Sequence, residues 1–252
     1  MELLNTPIGC YFIDSRDKFV AKELRLTGDY QPLERALYFK LLKPTDDVLW
    51  LGAHIGALMV PLSRVVNSIV AFEANPNTYE ILRRNIEKNQ ANNVTAYNLA
   101  ANDSNGKLEF LCNVTNSGGS KRMPKKMEPM YLDEETQIVE IEAVSIDDYL
   151  SAKPFDFIFM DIEGSEYPAI KGMSKTIAKC RTLVVEFIPH HLKNVAQITV
   201  DQFLEPLQSF ADLYVPELRK SFSGDEIRWA LNDMQKRDIG SSGLIFLNNI
   251  VR

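Results

Sequence analysis

The sequence predicts an α/β fold in which a mostly parallel, seven-stranded sheet has helices on both faces. Short apolar runs alternate with amphipathic segments along the chain, which is the pattern of strands connected through helices. The runs at 155–160 and 182–187 are apolar at nearly every position, as in parallel strands buried on both faces. A glycine turn follows one early strand and an acid follows the next, which is typical of a nucleoside-binding unit.

The segment 46–76 contains this predicted unit. Its first strand ends at Gly52, Gly56 follows, and its second strand ends at Glu73. Glycines let the backbone turn sharply and let a ligand approach it, and a helix that starts near residue 57 would direct its amide groups at the turn. An acid about 20 residues beyond the glycines is placed to accept both ribose hydroxyls. The pattern is Rossmann-like, and a nicotinamide cofactor would fit it as well as other nucleosides.

The other elements follow from periodicity, capping residues and proline or glycine stops. Strands are predicted at 11–13, 48–51, 68–72, 94–98, 107–112, 137–144, 155–160, 182–187, 212–216 and 243–247. Helices are predicted at 32–42, 57–66, 77–89, 146–150, from after Glu166 to about 179, 200–210 and 226–236. The alternating strands at 107–112 and 137–144 predict an inserted hairpin, and the long connection between them is either a binding loop or a disordered segment.

The predicted domain organisation is simple. The chain has 252 residues, 45% of them hydrophobic, which suffices for a single large α/β domain. Residues 1–45 are expected to form an N-terminal extension whose helix covers the sheet or caps the ligand pocket. Residues 46–252 are expected to form the Rossmann-like domain itself.

Composition excludes several other classes of protein. The formal net charge is −6, and the densest basic patch, 121–126, is interpreted as a solvated loop, which argues against a nucleic-acid-binding surface. Cys10, Cys112 and Cys180 are far apart and odd in number, so neither a disulfide framework nor a metal spacing is present. No signal peptide and no membrane-spanning run is recognised, so a cytoplasmic protein is expected. The oligomeric state stays open.

Polar residues follow the carboxyl ends of several predicted strands. Because the ends of parallel strands meet at one edge of a sheet, we expect these residues to surround one ligand cleft. They are Gly52, Glu73, Asn102, Asp103, Asp161 and His190. Asn102 and Asp103 follow the third strand of the core, and we expect one of them, or its backbone, to contact an adenine base.

Acids and a histidine near the last of these strand ends are the candidate catalytic groups. Asp161 is interpreted either as a base for an acceptor hydroxyl or as a helix N-cap, and Glu163 either as a first-turn helix acid or as an acceptor ligand. Glu186 lies in an apolar strand and must have a partner or face the cleft. His190 or His191 is a possible second base. Asp161, Glu163, Glu186 and His190 together could hold a divalent cation, which the sequence does not require.

A set of motifs in a fixed order resembles a known family. The motifs are VLWLGAHIG, VAFEANP, ILRRNIEKN, NSGGS, SIDDYL, FDFIFMDIEGSEYPAIKGM and TLVVEF. Together, from residue 46 to 189, they resemble the FkbM-type methyltransferases, within the class I S-adenosylmethionine-dependent methyltransferases. The resemblance implies S-adenosylmethionine as the cofactor and methyl transfer to a hydroxyl oxygen of a sugar or other small molecule. The expected cofactor-binding residues are Gly52, Ala53, His54, Gly56, Glu73, Ala74, Ala101, Asn102, Asp103 and Asp161.

The chain departs from the family pattern at three positions. Trp50 stands where an acid is usual, His54 where asparagine is common, and Phe159 where a lysine is common. Trp50 motivates the alternative of a nucleoside-binding protein without activity. A nicotinamide-dependent oxidoreductase is the other alternative. The sequence lacks the third glycine that is usual in such enzymes, and this alternative gives the acids after residue 160 no role.

Overall fold

Three sheets and nine α-helices make up the part of the chain that the computed structural model describes, residues 1–248. The strands are β1 (Glu2–Thr6), β2 (Gly9–Ile13), β3 (Asp47–Leu51), β4 (Ser68–Phe72), β5 (Val94–Tyr97), β6 (Ala100–Ala101), β7 (Gly106–Cys112), β8 (Lys121–Arg122), β9 (Gln137–Val144), β10 (Phe157–Met160), β11 (Thr182–Phe187), β12 (Asp212–Val215), β13 (Lys220–Ser223) and β14 (Ser241–Leu247). The helices are α1 (Val20–Thr27), α2 (Pro32–Leu41), α3 (Met59–Ser63), α4 (Pro76–Lys88), α5 (Ile146–Tyr149), α6 (Glu166–Lys171), α7 (Ser174–Ile177), α8 (Val200–Leu204) and α9 (Asp225–Lys236).

The main sheet has eight strands in the order β13-β12-β14-β11-β10-β3-β4-β5. Neighbours from β11 to β5 are parallel, whereas β14 runs antiparallel to both β11 and β12. Helices α1–α4 supply one apolar layer and α5–α9 the other, so both faces of the sheet are covered. The predicted α/β class and its mostly parallel sheet are confirmed. The predicted number of seven strands is wrong, because the short edge strand β13 is exposed at three of its four positions and shows no apolar run.

The order in which strands are added to the sheet changes direction at β3. From β3 it moves outward to β4 and β5, then returns to add β10 and β11 on the other side. In open α/β sheets, ligands bind beyond the carboxyl ends of the strands at such a switch point. We therefore expect a ligand site formed by the residues that follow β3, β4 and β10.

The inserted hairpin forms a second sheet with the order β6-β9-β7-β8. Strands β7 and β9 pair antiparallel over their full length, from Gly106 opposite Ala143 to Cys112 opposite Gln137. The connection between them is ordered through Asp133, whose Oδ2 accepts the N–H groups of Val114 at 2.8 Å and Thr115 at 2.6 Å. The predicted insertion is confirmed, and the long loop has a fixed structure that includes β8.

The N-terminal extension packs against the main body. Strand β2 contacts α4 through Asn85, whose Oδ1 accepts from Phe12 N at 2.6 Å and whose Nδ2 donates to Phe12 O at 3.1 Å. Helix α2 places Tyr38 edge-on against Phe159, 5.5 Å between ring centroids. Strand β1 and helix α1 were not predicted.

Several predicted helices are shorter in the structure. The helix predicted at 57–66 is reduced to α3, which has Pro61 at its centre. The helix expected to reach 179 breaks into α6 and α7 at Gly172, where a Cβ would lie 1.9 Å from the carbonyl oxygen of Asn102. Asn75 caps α4, since its side chain accepts from the N–H groups of Asn77 and Thr78. None of the helices within residues 1–248 is both long and apolar enough to cross a membrane.

Candidate active site

A cavity of about 300 Å³ lies at the carboxyl ends of the parallel strands. Its floor follows the order of the sheet: Ser242 from β14, Glu186 from β11, Asp161 after β10, Gly52 after β3, Glu73 after β4, and Leu99 to Ala101 beyond β5. Its other walls come from the N-terminal extension and the insertion: Phe19, Val20, Tyr30, Gln31, and Asn116 through Ser120. Its volume falls at the small end of the range usual for ligand sites, roughly 300–1,000 Å³.

The glycine turn brings the end of β3 against the end of β10. Gly52 has φ +82°, and a Cβ there would lie 1.8 Å from the carbonyl oxygen of Asp161. Gly56 has φ +83°, and a Cβ would touch the side chains of Leu82 and Val60 at 3.0 Å. Gly52 lines the cavity, whereas Gly56 and Ala53 do not. Gly52 therefore shapes the turn and also lines the cavity, whereas Gly56 only shapes the turn.

Glu73 is buried at the end of β4 and lines the cavity. Its Oε2 accepts the N–H of His54 at 2.7 Å, and its Oε1 accepts the N–H of Asn75 at 2.9 Å. Burial raises its pKa to about 7, although these backbone hydrogen bonds oppose the shift. Each oxygen keeps a second lone pair, so the carboxylate can still accept two hydroxyl groups.

His54 joins three parts of the chain at the cavity. Its Nε2 lies 2.8 Å from Ser117 Oγ, which in turn lies 2.5 Å from Asp17 Oδ2. Because the Ser117 hydroxyl donates to the carboxylate, His54 Nε2 is the donor in the first bond. Burial lowers the pKa of His54 to about 4, so the ring is neutral. This chain of hydrogen bonds connects the glycine turn, the insertion and the N-terminal extension.

The far end of the cavity is apolar. Leu99, Ala100, Ala101, Leu108 and Phe110 line it. Asn102 and Asp103 do not line it, contrary to expectation. The N–H of Asn102 donates to Val144 O at 2.8 Å, and Asp103 is exposed. Pairing of β6 with β9 turns these two residues away from the cavity, so Ala101 is the last residue of this segment that lines it.

Asp161 lines the cavity and has no side-chain hydrogen bond within residues 1–248. Burial, and then the nearby Glu163 and Glu166, raise its pKa well above the ordinary value. The N-cap interpretation of Asp161 is wrong, since Ser165 holds that position and Glu166 satisfies the turn. Glu166 Oε1 accepts the N–H of Ile162 at 3.0 Å and of Gly164 at 3.2 Å.

The histidine that joins the acids is His191. Its Nδ1 lies 3.2 Å from Glu186 Oε2, and Glu186 lines the cavity. Burial, followed by repulsion from Asp161, raises the pKa of Glu186 well above its ordinary value. His190 instead places Nδ1 3.0 Å from the Tyr131 hydroxyl and does not line the cavity. The structure thus separates His190 from the acids with which the sequence grouped it.

Lys121 is a functional candidate that the sequence did not reveal. Only 4% of its surface is exposed, so the prediction that 121–126 is a solvated loop is wrong at this residue. Its Nζ lies 2.7 Å from Glu163 Oε2 and 3.1 Å from His191 Nε2. Both partners are distant in sequence, and no local pattern indicates them.

The two unusual residues of the core, Trp50 and Phe159, face each other. They are register partners on β3 and β10, and their rings stack with centroids 4.2 Å apart and planes at 24°. Both are buried in the apolar layer under α1–α4, and neither lines the cavity. The departure at Trp50 therefore leaves the cavity wall intact.

The sheet order, the glycine turn and the acid after β4 define a Rossmann-like, class I type of nucleoside-binding protein. Residues 51–222 match the model of the family described as methyltransferase FkbM domain. The match covers more than half of the chain, and the chain therefore belongs to this family of methyltransferases. The predicted family is confirmed, and membership favours methyl transfer over the nicotinamide alternative.

Individual proteins resemble the chain more distantly. The 2-O-methyltransferase NoeI of Sinorhizobium fredii (strain NBRC 101917 / NGR234) is 24% identical over 230 residues, which span 84% of this chain and 91% of NoeI. The solved structure of methyltransferase FkbM from Methylobacillus flagellatus KT aligns with a TM-score of 0.48 and 17% identity, over 82% of this chain and 44% of that one. A TehB-like SAM-dependent methyltransferase from Corynebacterium glutamicum aligns with a TM-score of 0.48 and 11% identity, over 91% and 94% of the two chains.

Proposed function

We propose that this chain is an S-adenosylmethionine-dependent O-methyltransferase that acts on a hydroxyl group of a small molecule, such as a sugar. One observation carries the proposal: one cavity runs from Glu73, a buried carboxyl suited to ribose, to Asp161, a carboxyl without a hydrogen bond to any residue in 1–248. Family membership supports methyl transfer, and the activity in the name of NoeI supports oxygen as the accepting atom.

The residues present fit the proposed cofactor. Glu73 would hold the ribose hydroxyls, the apolar wall around Ala101 would hold the base, and Gly52 would let the ligand approach the backbone. When bound, the cofactor supplies an activated methyl group on a positively charged sulfur. The carboxyl groups of Asp161 and Glu186 suit that positive charge. Burial and acidic neighbours raise the pKa of each, so a nearby cation would stabilise the ionised form.

Asp161 is the proposed acceptor of the substrate's proton. A carboxyl whose pKa is raised is a stronger base when ionised, and its oxygens have no competing partner among the described residues. Glu186, held by His191 at 3.2 Å, would orient the same hydroxyl from the neighbouring strand end. Glu163, which Lys121 holds in place, would contact the acceptor as well. Most of the rate would come from holding the hydroxyl in line with the methyl group.

We propose further that residues 1–45 and 46–252 form one domain, in which the extension completes the acceptor end of the cavity. Phe19, Val20, Tyr30 and Gln31 line it, and all four lie outside the matched segment 51–222. A cavity lined by Glu73, Asp161, Glu163 and Glu186 fits a small neutral or cationic acceptor and repels a phosphate backbone.

Cofactor binding tests the first half of the proposal. Glu73→Ala is expected to weaken binding of S-adenosylmethionine by roughly 1–3 kcal/mol, because the ribose hydroxyls lose their acceptor. Isothermal titration calorimetry of wild type and variant measures this. Glu87→Ala, which removes an exposed acid of α4, is the matched control and is expected to bind as wild type does. Equal affinities for wild type and Glu73→Ala would rule out the assigned cofactor site.

Turnover tests the second half. A panel of sugars and hydroxylated metabolites is screened first for formation of S-adenosylhomocysteine. With an acceptor in hand, Asp161→Asn is expected to lower kcat by about 100-fold or more, with little change in cofactor affinity. Near-normal turnover would eliminate Asp161 as the base. A loss explained entirely by weaker cofactor binding would make it a cofactor ligand instead.

A further inference from the structure

Lys121 occupies the centre of a group of side chains that otherwise has the chemistry of a metal site. Glu163, Glu186 and His191 offer donor atoms that all lie within 4.8 Å of one another. Carboxylate oxygens with an imidazole nitrogen are common ligands of divalent metals. The Lys121 ammonium lies 2.7 Å from Glu163 Oε2 and 3.1 Å from His191 Nε2, so a cation of the protein already contacts two of the three.

The ammonium also fixes the proton on His191. An ammonium group can only donate hydrogen bonds, so His191 Nε2 must accept and is unprotonated. Burial, and then Lys121, lower the pKa of His191 to about 2, so the ring is neutral and carries its one proton on Nδ1. That N–H donates to Glu186 Oε2 at 3.2 Å. The order carboxylate, imidazole, cation is the arrangement that orients histidine ligands around metals.

We propose that the Lys121 ammonium is a built-in cation that takes the place of a divalent metal, holding Glu163 directly and Glu186 through His191. The site would then need no metal to keep these side chains in position. Lys121 does not line the cavity, so it is a positioning residue rather than a catalytic one.

The placement of Lys121 supports a dedicated role. It comes from β8 of the insertion, whereas Glu163 follows β10 and His191 follows β11. Its Nζ also lies 4.9 Å above the centre of the Tyr131 ring, a favourable cation–π distance. A buried ammonium is unfavourable without such partners, and here two polar groups and one ring surround it. The contacts also attach the insertion to the acceptor end of the cavity.

A cobalt titration tests the assignment without any acceptor. Wild type is expected to bind no Co²⁺ at this place. Lys121→Ala removes the competing cation and leaves Glu163 and His191 facing the space, so it is expected to bind one Co²⁺ about tenfold or more tightly than any site of wild type. The visible absorption of Co²⁺ reports binding and geometry. Lys126→Ala removes an exposed neighbouring lysine and is expected to behave as wild type does.

One further variant and one further measurement distinguish a replaced metal from a purely structural lysine. Lys121→Ala combined with His191→Ala is expected to lose the new site. Co²⁺ is expected to raise the thermal midpoint of Lys121→Ala but not that of wild type, since metal binding to the folded state stabilises it. A purely structural lysine would produce neither effect.

Two results would overturn the assignment. One is a Co²⁺ site in wild type that disappears in His191→Ala, which remains informative even if Lys121→Ala does not fold. The other is a folded Lys121→Ala that binds Co²⁺ no better than wild type. The catalytic consequence rests on the proposed function: with an acceptor known, Co²⁺ or Mn²⁺ should restore part of the kcat lost in Lys121→Ala. Because the titration needs no turnover, failure of the function and failure of this assignment are distinguishable.

Discussion

Replacement of Glu73 by glutamine should change how the stability of the protein depends on pH. Glu73 is buried, and its pKa in the folded protein is raised to about 7 from an ordinary value of 4.5. Glutamine has the same shape and cannot ionise. In the variant, the folded state therefore no longer has to carry a buried negative charge at neutral and alkaline pH.

The sign and size follow from linkage. Between pH 4.5 and about 7, Glu73 holds its proton in the folded state and has lost it in the unfolded state. Stability that is present below pH 4.5 is therefore lost as the pH rises through about 7. The gap between the two pKa values corresponds to about 3 kcal/mol. Relative to wild type, Glu73→Gln should gain that amount between pH 4.5 and 8.

Urea denaturation at several pH values from 4.5 to 8 measures the difference. The quantity to compare is the free energy of unfolding of the variant minus that of wild type, because the contribution of other buried acids such as Glu166 largely cancels. A constant offset in the free energy of unfolding is expected as well. The NH2 group of the glutamine would face a backbone N–H whose hydrogen bond the carboxylate accepted in wild type. Glu87→Gln makes the same change at an exposed site of α4 and should follow wild type. If the profiles of Glu73→Gln and wild type stay parallel, burial does not control the titration of Glu73.

Three other changes have defined outcomes. Gly52→Ala should cost at least about 3 kcal/mol in urea denaturation, from its positive φ and from contact with a carbonyl oxygen of the adjacent strand end, whereas Gly118→Ala, whose Cβ would meet only Val20 Cγ2 at 3.9 Å, should cost far less. Trp50→Glu and Phe159→Lys should each destabilise the protein. A double-mutant cycle should show that the double variant loses about 1–3 kcal/mol less stability than the two single variants lose together. Tyr30→Phe removes a hydroxyl without a hydrogen bond in residues 1–248. It should leave stability within about 0.5 kcal/mol but raise the KM for the acceptor, which steady-state kinetics measures.

Local sequence patterns were sufficient to place Gly52 and Glu73 at neighbouring strand ends. Gly52 and Glu73 are separated by one helix and one turn, and the apolar runs before them place each at a strand end. The Asn75 cap of α4 is also a local contact, because a cap bonds to residues two and three positions further on. These interactions depend on neighbours in the chain, so a periodic pattern with its stop signals identifies them.

The acceptor end depends on contacts that no local pattern contains. Lys121 lies in a basic run that is typical of an exposed loop, and its burial results from pairing of β8 with β7 and from a glutamate 42 residues away. Adjacent histidines cannot be distinguished by composition. Only the π-helical turn that begins at His191 decides which ring faces the acids and which faces Tyr131. Asn102 was misplaced for a similar reason, because pairing of β6 with β9 sets its direction.

The departures at Trp50 and Phe159 are better understood as one change than as two. The family pattern has an acid at the first position and commonly a lysine at the second, and the register of β3 and β10 places the two directly opposite. In this chain the two positions carry an opposite pair of stacked rings, so neither of them holds a buried charge without a partner. Tyr38 of the N-terminal extension packs edge-on against the same stack. The stack thus makes apolar contact with the segment that supplies Tyr30 to the cavity, and an aromatic ring at position 50 is compatible with an intact cavity wall.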